Sequence, residues 1–193
     1  QLLSGHSSAD GVAKNQPAKL AAMEGHYEES APADLNLFGW VDNETQEVTG
    51  LALPGGLSFL VHQDFEEPIT GLNAFPEEDR PSQVNAVFQF YHIMVSIGMF
   101  LIALTVYASF LWWKGKLFDK KWLLQIFAFS VILPQIANQV GWFAAEMGRQ
   151  PWIVYGHLRT DEGFSQEVSS NQILFSLILF LVVYTLLFLL FIY

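Results

Sequence analysis

Three apolar runs, at residues 88–112, 122–147 and 173–193, limit what this chain can become more than any other feature. As a helix rising 1.5 Å per residue, each is long enough to cross a hydrocarbon core of about 30 Å. The bilayer offers no water to a backbone that is neither helical nor part of a closed barrel. The expected fold is therefore an all-α membrane protein, with three transmembrane helices that form part of a larger helical bundle. The composition agrees, with 52% hydrophobic and 15% charged residues among 193 and a positive mean hydropathy. The chain opens at Gln1 and stops at Tyr193 inside an apolar run, so it reads as one piece of a longer polypeptide.

The net charge of -10 belongs to one segment. Residues 1–84 hold 14 Asp and Glu against 3 Lys and Arg, whereas residues 85–193 hold 5 against 6. Such an acidic segment excludes nucleic acid and anionic lipid headgroups as charge partners, because both are polyanions. Its apolar stretches are too short to span a bilayer, so it is expected to be an irregular extracytoplasmic loop with a short helix. That helix is expected over 16–28, where Pro17 suits a first turn and Gly25 weakens or ends it. Residues 35–40 and 57–61 are expected to form short strands.

Orientation follows from the loops. Lys114-Gly-Lys-Leu-Phe-Asp-Lys-Lys121 places four lysines in the short turn 113–121, which the positive-inside rule assigns to the cytoplasm. Residues 1–84, the C-terminal end of the second span and the loop 148–172 are then expected outside.

That second span carries an unusual set of polar residues. Gln135, Asn138, Gln139, Trp142, Glu146 and Arg149 recur at the spacing of one helix face. Lipid cannot satisfy such a stripe, so it must face a bundle interior, a cofactor or a water path. Interhelical hydrogen bonding alone is the plain alternative. Ionisable groups in a spanning segment are functional candidates by default. Glu146 lies near the negative end of the helix macrodipole and wants a positive partner; it is a simple ion pair with Arg149, a metal ligand, or a protonatable carboxylate desolvated by burial. On the first span, His92 and Met94 stand about 200° apart around a helix, so they cannot serve one metal. His6, His26, His62 and His157 show no ligand spacing, and the absence of cysteine excludes thiolate, disulfide and Cys-ligated metal chemistry.

Gly141-Trp-Phe-Ala-Ala-Glu-Met-Gly-Arg-Gln-Pro-Trp152 closely resembles the GWxxxExGRQPW signature of subunit I of the cytochrome bd-type quinol oxidases. Lys19-Leu-Ala-Ala-Met-Glu24 resembles that family's KLAAxE in its quinol-binding loop. The resemblance implies that residues 1–84 form an outward quinol-binding loop in which Lys19 and Glu24 act on quinol, with Glu24 accepting a quinol proton. It implies that Met94 is an axial ligand of the low-spin haem b, and that Glu146 ligates the high-spin haem b or haem d. Trp142 would lie between haems, and Arg149 would neutralise propionates or Glu146. The implied activity is quinol oxidation at the outer face coupled to reduction of dioxygen to water, building a proton gradient without a pump. The implied setting is a bacterial or archaeal cytoplasmic membrane, with a second large membrane subunit, small single-helix subunits and lipid as partners. The sequence departs from the family at His92, where a guanidinium two residues before the axial Met is replaced by a titratable imidazole beside that haem. It is also compact between Glu24 and the first span, and it lacks the family's N-terminal helices with their His ligands.

Two other functions remain compatible with the polar stripe. One is a non-enzymatic transport or structural subunit with a polar path gated by Glu146 and Arg149. The other is a b-haem electron-transfer module without oxygen chemistry.

Overall fold

The computed structural model describes residues 2–164 and 167–193, and all of their side chains except those of residues 2–4 and 6. The surroundings of the His6 side chain, and residues 165–166 of the expected outer loop, lie outside the described residues. The chain forms two units, residues 1–159 and residues 160–193. The architecture is mostly helical, with three helical segments long and apolar enough to cross a membrane.

The first unit opens with helix α1 (Leu2–Asn15) and helix α2 (Pro17–Glu24). No helix is expected over 2–15 from the sequence, because Gly5, Gly11 and three serines lower its propensity. Its last turns are held by local bonds, Lys14 to Asp10 and the Asn15 side chain to the Gly11 carbonyl. Helix α2 starts on Pro17 and ends where Gly25 turns left-handed, at φ 67°, its N–H reaching back to Ala21 and Ala22. A β-carbon on Gly25 would meet Val48 and Val41 at 2.8 and 2.9 Å, so the glycine also lets a hairpin press on the helix end.

That hairpin is β1 (Leu35–Asp42) with β2 (Glu47–Leu53), paired Phe38 to Leu51, Trp40 to Thr49 and Val41 to Val48. The strand expected at 57–61 is instead helix α3 (Gly56–His62). A five-residue apolar run cannot distinguish strand from helix by periodicity. Tertiary bonds decide it: the Leu57 and Ser58 N–H groups donate to Ala33, and the Ser58 hydroxyl accepts from Ala33 N–H while donating to Glu67.

Helix α4 (Val84–Trp113) is the axis of the unit. The second expected span forms as α5 (Lys121–Ser130) and α6 (Leu133–Gly148), which together make one span with a break before Pro134. Pro134 has no N–H for the carbonyl of Ser130, and its ring would clash there. Helices α4 and α6 pack antiparallel through the small residues Gly141, Ala144 and Gly148, as close-packed membrane helices do. Over the outer end of this pair, Ala18, Ala21, Ala22 and Met23 of α2 join Val41, Val87, Phe88 and Ala144 in one apolar core. Complete burial of Phe88 alone contributes on the order of 2–3 kcal/mol. A short hairpin follows, β3 (Trp152–Val154) with β4 (Leu158–Arg159). The second unit is built on α7 (Ser170–Ile192), begun by a reciprocal Ser169–Gln172 capping box and apolar all round.

Candidate functional site

The close approach of α4 and α6 sets the levels of the candidate residues. A β-carbon on Gly141 would stand 2.5 Å from the Met94 sulfur, so the absence of a side chain there makes room for the thioether. Gly148 lies against Val87 and the Lys19 stem, each 3.2 Å from where its β-carbon would be. Gly141, with Trp142 next to it, is thus level with Met94, and Glu146 lies about 7.5 Å beyond Gly141 toward the C-terminal end of α6, five residues at 1.5 Å each.

At that end three charged side chains from two distant motifs meet. Arg149, capping α6, donates to Glu146 Oε2 from Nε at 2.8 Å and from Nη2 at 2.5 Å. Lys19 of α2 lies within electrostatic reach of both, and burial pushes its ammonium below the usual lysine range, with Glu146 opposing the shift and Arg149 adding to it. Among the described hydrogen bonds, only Oε2 of Glu146 is engaged, which leaves the second carboxylate oxygen open. The pair is partly exposed, at 40% for Glu146 and 31% for Arg149. Pairs of that kind contribute about 1 kcal/mol or less, so stability alone does not account for it.

A narrow crevice beside this cluster is lined by Gln16, Lys19, Asp79, Arg149, Trp152 and Tyr155. Two buried polar atoms there have no partner among the described residues, the Gln16 Oε1 acceptor and the Trp152 Nε1 donor. An ordered water completes such a lining. Arg159 holds the crevice wall by stacking on Trp152 at 4.8 Å and pairing with Asp79.

Glu24 occupies a different niche. It is 1% exposed, its Oε2 has no partner among the described residues, and burial pushes its carboxyl up to about 8, against the opposing effect of the Tyr91 hydroxyl beside it. The Glu24 carbonyl accepts from Asn36 Nδ2 at 3.0 Å, and the Asn36 carbonyl lies 2.7 Å from His92 Nε2. The other ring nitrogen of His92 lies 2.9 Å from the Phe88 carbonyl. His92 therefore faces the β1–β2 hairpin, on the opposite side of α4 from Met94, with both nitrogens at backbone carbonyls. The structure brings together Lys19, Glu146 and Arg149, and sets Met94 level with Trp142; Glu24 and His92 stand apart from them. Tyr91, Asn36 and Gln16 are additions that no local pattern marks, because each gains its place from another element; Trp152 closes the signature that the sequence already singles out.

The polar stripe does not bond to α4. Gln135, Asn138, Gln139 and Trp142 are exposed, roughly 140° around α6 from the small residues that touch α4, at 100° per residue. Among the described residues, no three His, Cys, Asp or Glu side chains gather to hold a bare metal ion. A haem iron brings four ring nitrogens and asks for only one or two protein ligands. A lone Met94, a lone Glu146 with one open oxygen and an uncovered polar face fit that requirement.

Similarity to known proteins runs along the whole chain. The family model described as Cytochrome bd terminal oxidase subunit I matches residues 1–193. The Bacillus subtilis (strain 168) cytochrome bd ubiquinol oxidase subunit 1 is 33% identical over 195 residues, covering 96% of this chain and 42% of that protein. The Escherichia coli (strain K12) cytochrome bd-II ubiquinol oxidase subunit 1 is 27% identical over 248 residues, covering 94% and 48%. The structure of bd oxidase from Geobacillus thermodenitrificans superposes with a TM-score of 0.76 at 36% identity, covering 97% of this chain and 43% of that one. The chain thus spans less than half the length of these relatives.

Proposed function

This chain belongs to the cytochrome bd terminal oxidase subunit I family, and from that premise we propose that it is the quinol-binding and haem-ligating part of a terminal quinol oxidase. The observation that carries this reading is the meeting of two motifs about 120 residues apart, Lys19 of α2 settling on Gly148 beside Glu146 and Arg149. The basic turn after α4 lies in the cytoplasm, which puts residues 1–84 and the loop 148–172 on the outer side of a bacterial or archaeal cytoplasmic membrane. Quinol is oxidised on that outer side, dioxygen is reduced to water with protons taken from inside, and the gradient forms without a pump. A second large subunit, small single-helix subunits and lipid complete the assembly.

Each residue has a part that its surroundings support. Lys19 and Arg149 offer positive charge and hydrogen-bond donors to an oxygen-bearing group beside the narrow Gln16–Trp152 crevice. Met94 would offer its thioether to the iron of the low-spin haem b, and Glu146 its open oxygen to that of the high-spin haem b or haem d. Trp142 lines the uncovered face between them. His92 locks the hairpin to α4, on the side of that helix away from Met94. When bound, the haems supply electron transfer and oxygen chemistry, while the protein supplies ligation, spacing and dielectric.

Glu24 is the proton acceptor. With its carboxyl raised to about 8, the basic form is scarce at neutral pH and grows as pH rises through 8. Quinol turnover of the complete oxidase is expected to rise over that range. Glu24→Gln is expected to flatten the rise and lower turnover by about 100-fold, the scale of a lost general base, with every haem band intact. A pH–rate profile with paired spectra checks this; an unchanged rise through pH 8 would assign the proton to another group.

The proposed function itself is tested by a reduced-minus-oxidised absorption spectrum of the intact complex in membranes. Bands of b-type haem together with a long-wavelength chlorin band are expected. A spectrum without haem would point to a transport or structural subunit, and b-type bands alone would point to an electron-transfer module.

A further inference from the structure

Depth in the membrane can be read from the hydrogen bonds that join α4 to the β1–β2 hairpin. The Asn36 carbonyl lies at His92, the Gly39 carbonyl accepts from Gln89, and the Val41 N–H donates to Asn85. The strand β1 therefore climbs α4 from residue 92 outward to residue 85. At its other end α4 finishes in exposed Trp112 and Trp113, followed by Lys114, Lys116, Lys120 and Lys121. Aromatic residues backed by lysines mark a membrane interface. Counting outward from Trp112, about 20 residues fill a hydrocarbon core of about 30 Å, which brings the opposite boundary to the level of His92.

The hairpin thus begins at the outer boundary. Gly39 stands about 4.5 Å above it and Val41 about 10 Å above it, three and seven helix residues at 1.5 Å each. Side chains alternate along a strand, and here the alternation separates two kinds of face. Val41, with Val48, turns onto α2 and α4. Phe38, Trp40 and the paired Leu51 turn away and are 60%, 63% and 60% exposed. From the boundary up to Trp40 and its partner Thr49 this outward face carries no charge. The acids Asp42, Glu44 and Glu47 are confined to the turn at the far end, beyond the headgroup layer, which is roughly 5–8 Å thick on each side of the core.

We propose that this face of the hairpin is a lipid-contact surface: Phe38 and Leu51 meet the outer edge of the acyl chains, and Trp40 sits among the headgroups. The vertical order, apolar at the boundary, an indole in the headgroup layer and carboxylates above it, matches the gradient of the interface itself. A charge-free face with an acidic tip held in water suits neutral or zwitterionic lipid. The contact would hold α2, which the same hairpin presses through Gly25, at a fixed height over the bilayer. The inference rests on α4 crossing the membrane and is independent of the quinol chemistry.

The chain contains no cysteine, so a single thiol can be introduced into it. The complete oxidase carrying Phe38→Cys, Trp40→Cys or Glu44→Cys would be labelled with a small fluorophore in phosphatidylcholine nanodiscs, with the unsubstituted complex as the labelling blank. Lipids bearing a nitroxide just below the headgroup are expected to extinguish most of the fluorescence at positions 38 and 40 and little at 44, while aqueous iodide does the reverse. Quenching of positions 38 and 40 by iodide alone would show a water-exposed face, and protection from both quenchers would show a face covered by protein; either overturns the proposal. The haem spectrum of each labelled sample reports separately on the oxidase assignment.

Discussion

Replacing Met94 with leucine is expected to remove the low-spin haem band from the complete oxidase while leaving the bands of the other two haems. Leucine and methionine have similar volumes, and such swaps usually cost less than about 1.5 kcal/mol in a packed setting. The position lies against Gly141, whose missing side chain makes room for a long side chain there. Packing of α4 on α6 should therefore survive, and what is lost is the thioether as a ligand. Quinol turnover is expected to fall by about 100-fold or more, because the haems carry the electron transfer. A Met94→Leu complex with an undiminished low-spin band would remove Met94 from the ligand set and make its sulfur a packing group.

Glu146→Ala has the second large expected effect, and here two explanations differ sharply in size. If the carboxylate serves only Arg149, losing a pair that is 40% and 31% exposed costs about 1 kcal/mol or less and leaves turnover near the parent value. If it holds an oxygen-site haem, turnover falls by at least the 10–100-fold that even supporting residues of a metal site contribute, and the oxygen-site bands shift or vanish. The expected result is the second. The double variant Glu146→Ala with Arg149→Ala separates charge from ligation, because removing the unpaired guanidinium should not rescue activity when a ligand is missing. Parent-like turnover in a well-assembled Glu146→Ala complex would assign the pair a purely structural role.

Much of the candidate site is legible in the sequence. The spacing of His92 and Met94 already places them on opposite sides of one helix, and the structure sends His92 to the hairpin and Met94 to α6. Glu146 and Arg149, three residues apart, do pair, which is one of the three readings that their spacing leaves open. The GRQPW stretch ends its helix near Gly148, as the following proline requires. What the sequence does not disclose is which side chains from distant elements share a niche. Lys19 and Glu24 belong to one short motif, yet Lys19 leans on Gly148 of α6 while Glu24 is buried beside Tyr91 of α4. Five residues along a helix turn a side chain by about 140° from its starting direction, and only the packing of α2 against two neighbours gives each direction a destination.

The sequence by itself determined the three spans, their order, the segregation of acid into residues 1–84 and the polar stripe of α6. These are local periodicities and compositions, and the bilayer enforces them on any chain that enters it. Tertiary structure alone decided that residues 57–61 wind into a helix, that burial pushes the carboxyl of Glu24 up to about 8, and that Phe38 and Trp40 face away from α2 and α4. Each of those outcomes depends on contacts between segments far apart in the chain. A short run has no preference strong enough to resist them, and a carboxyl group has no burial until another element closes over it.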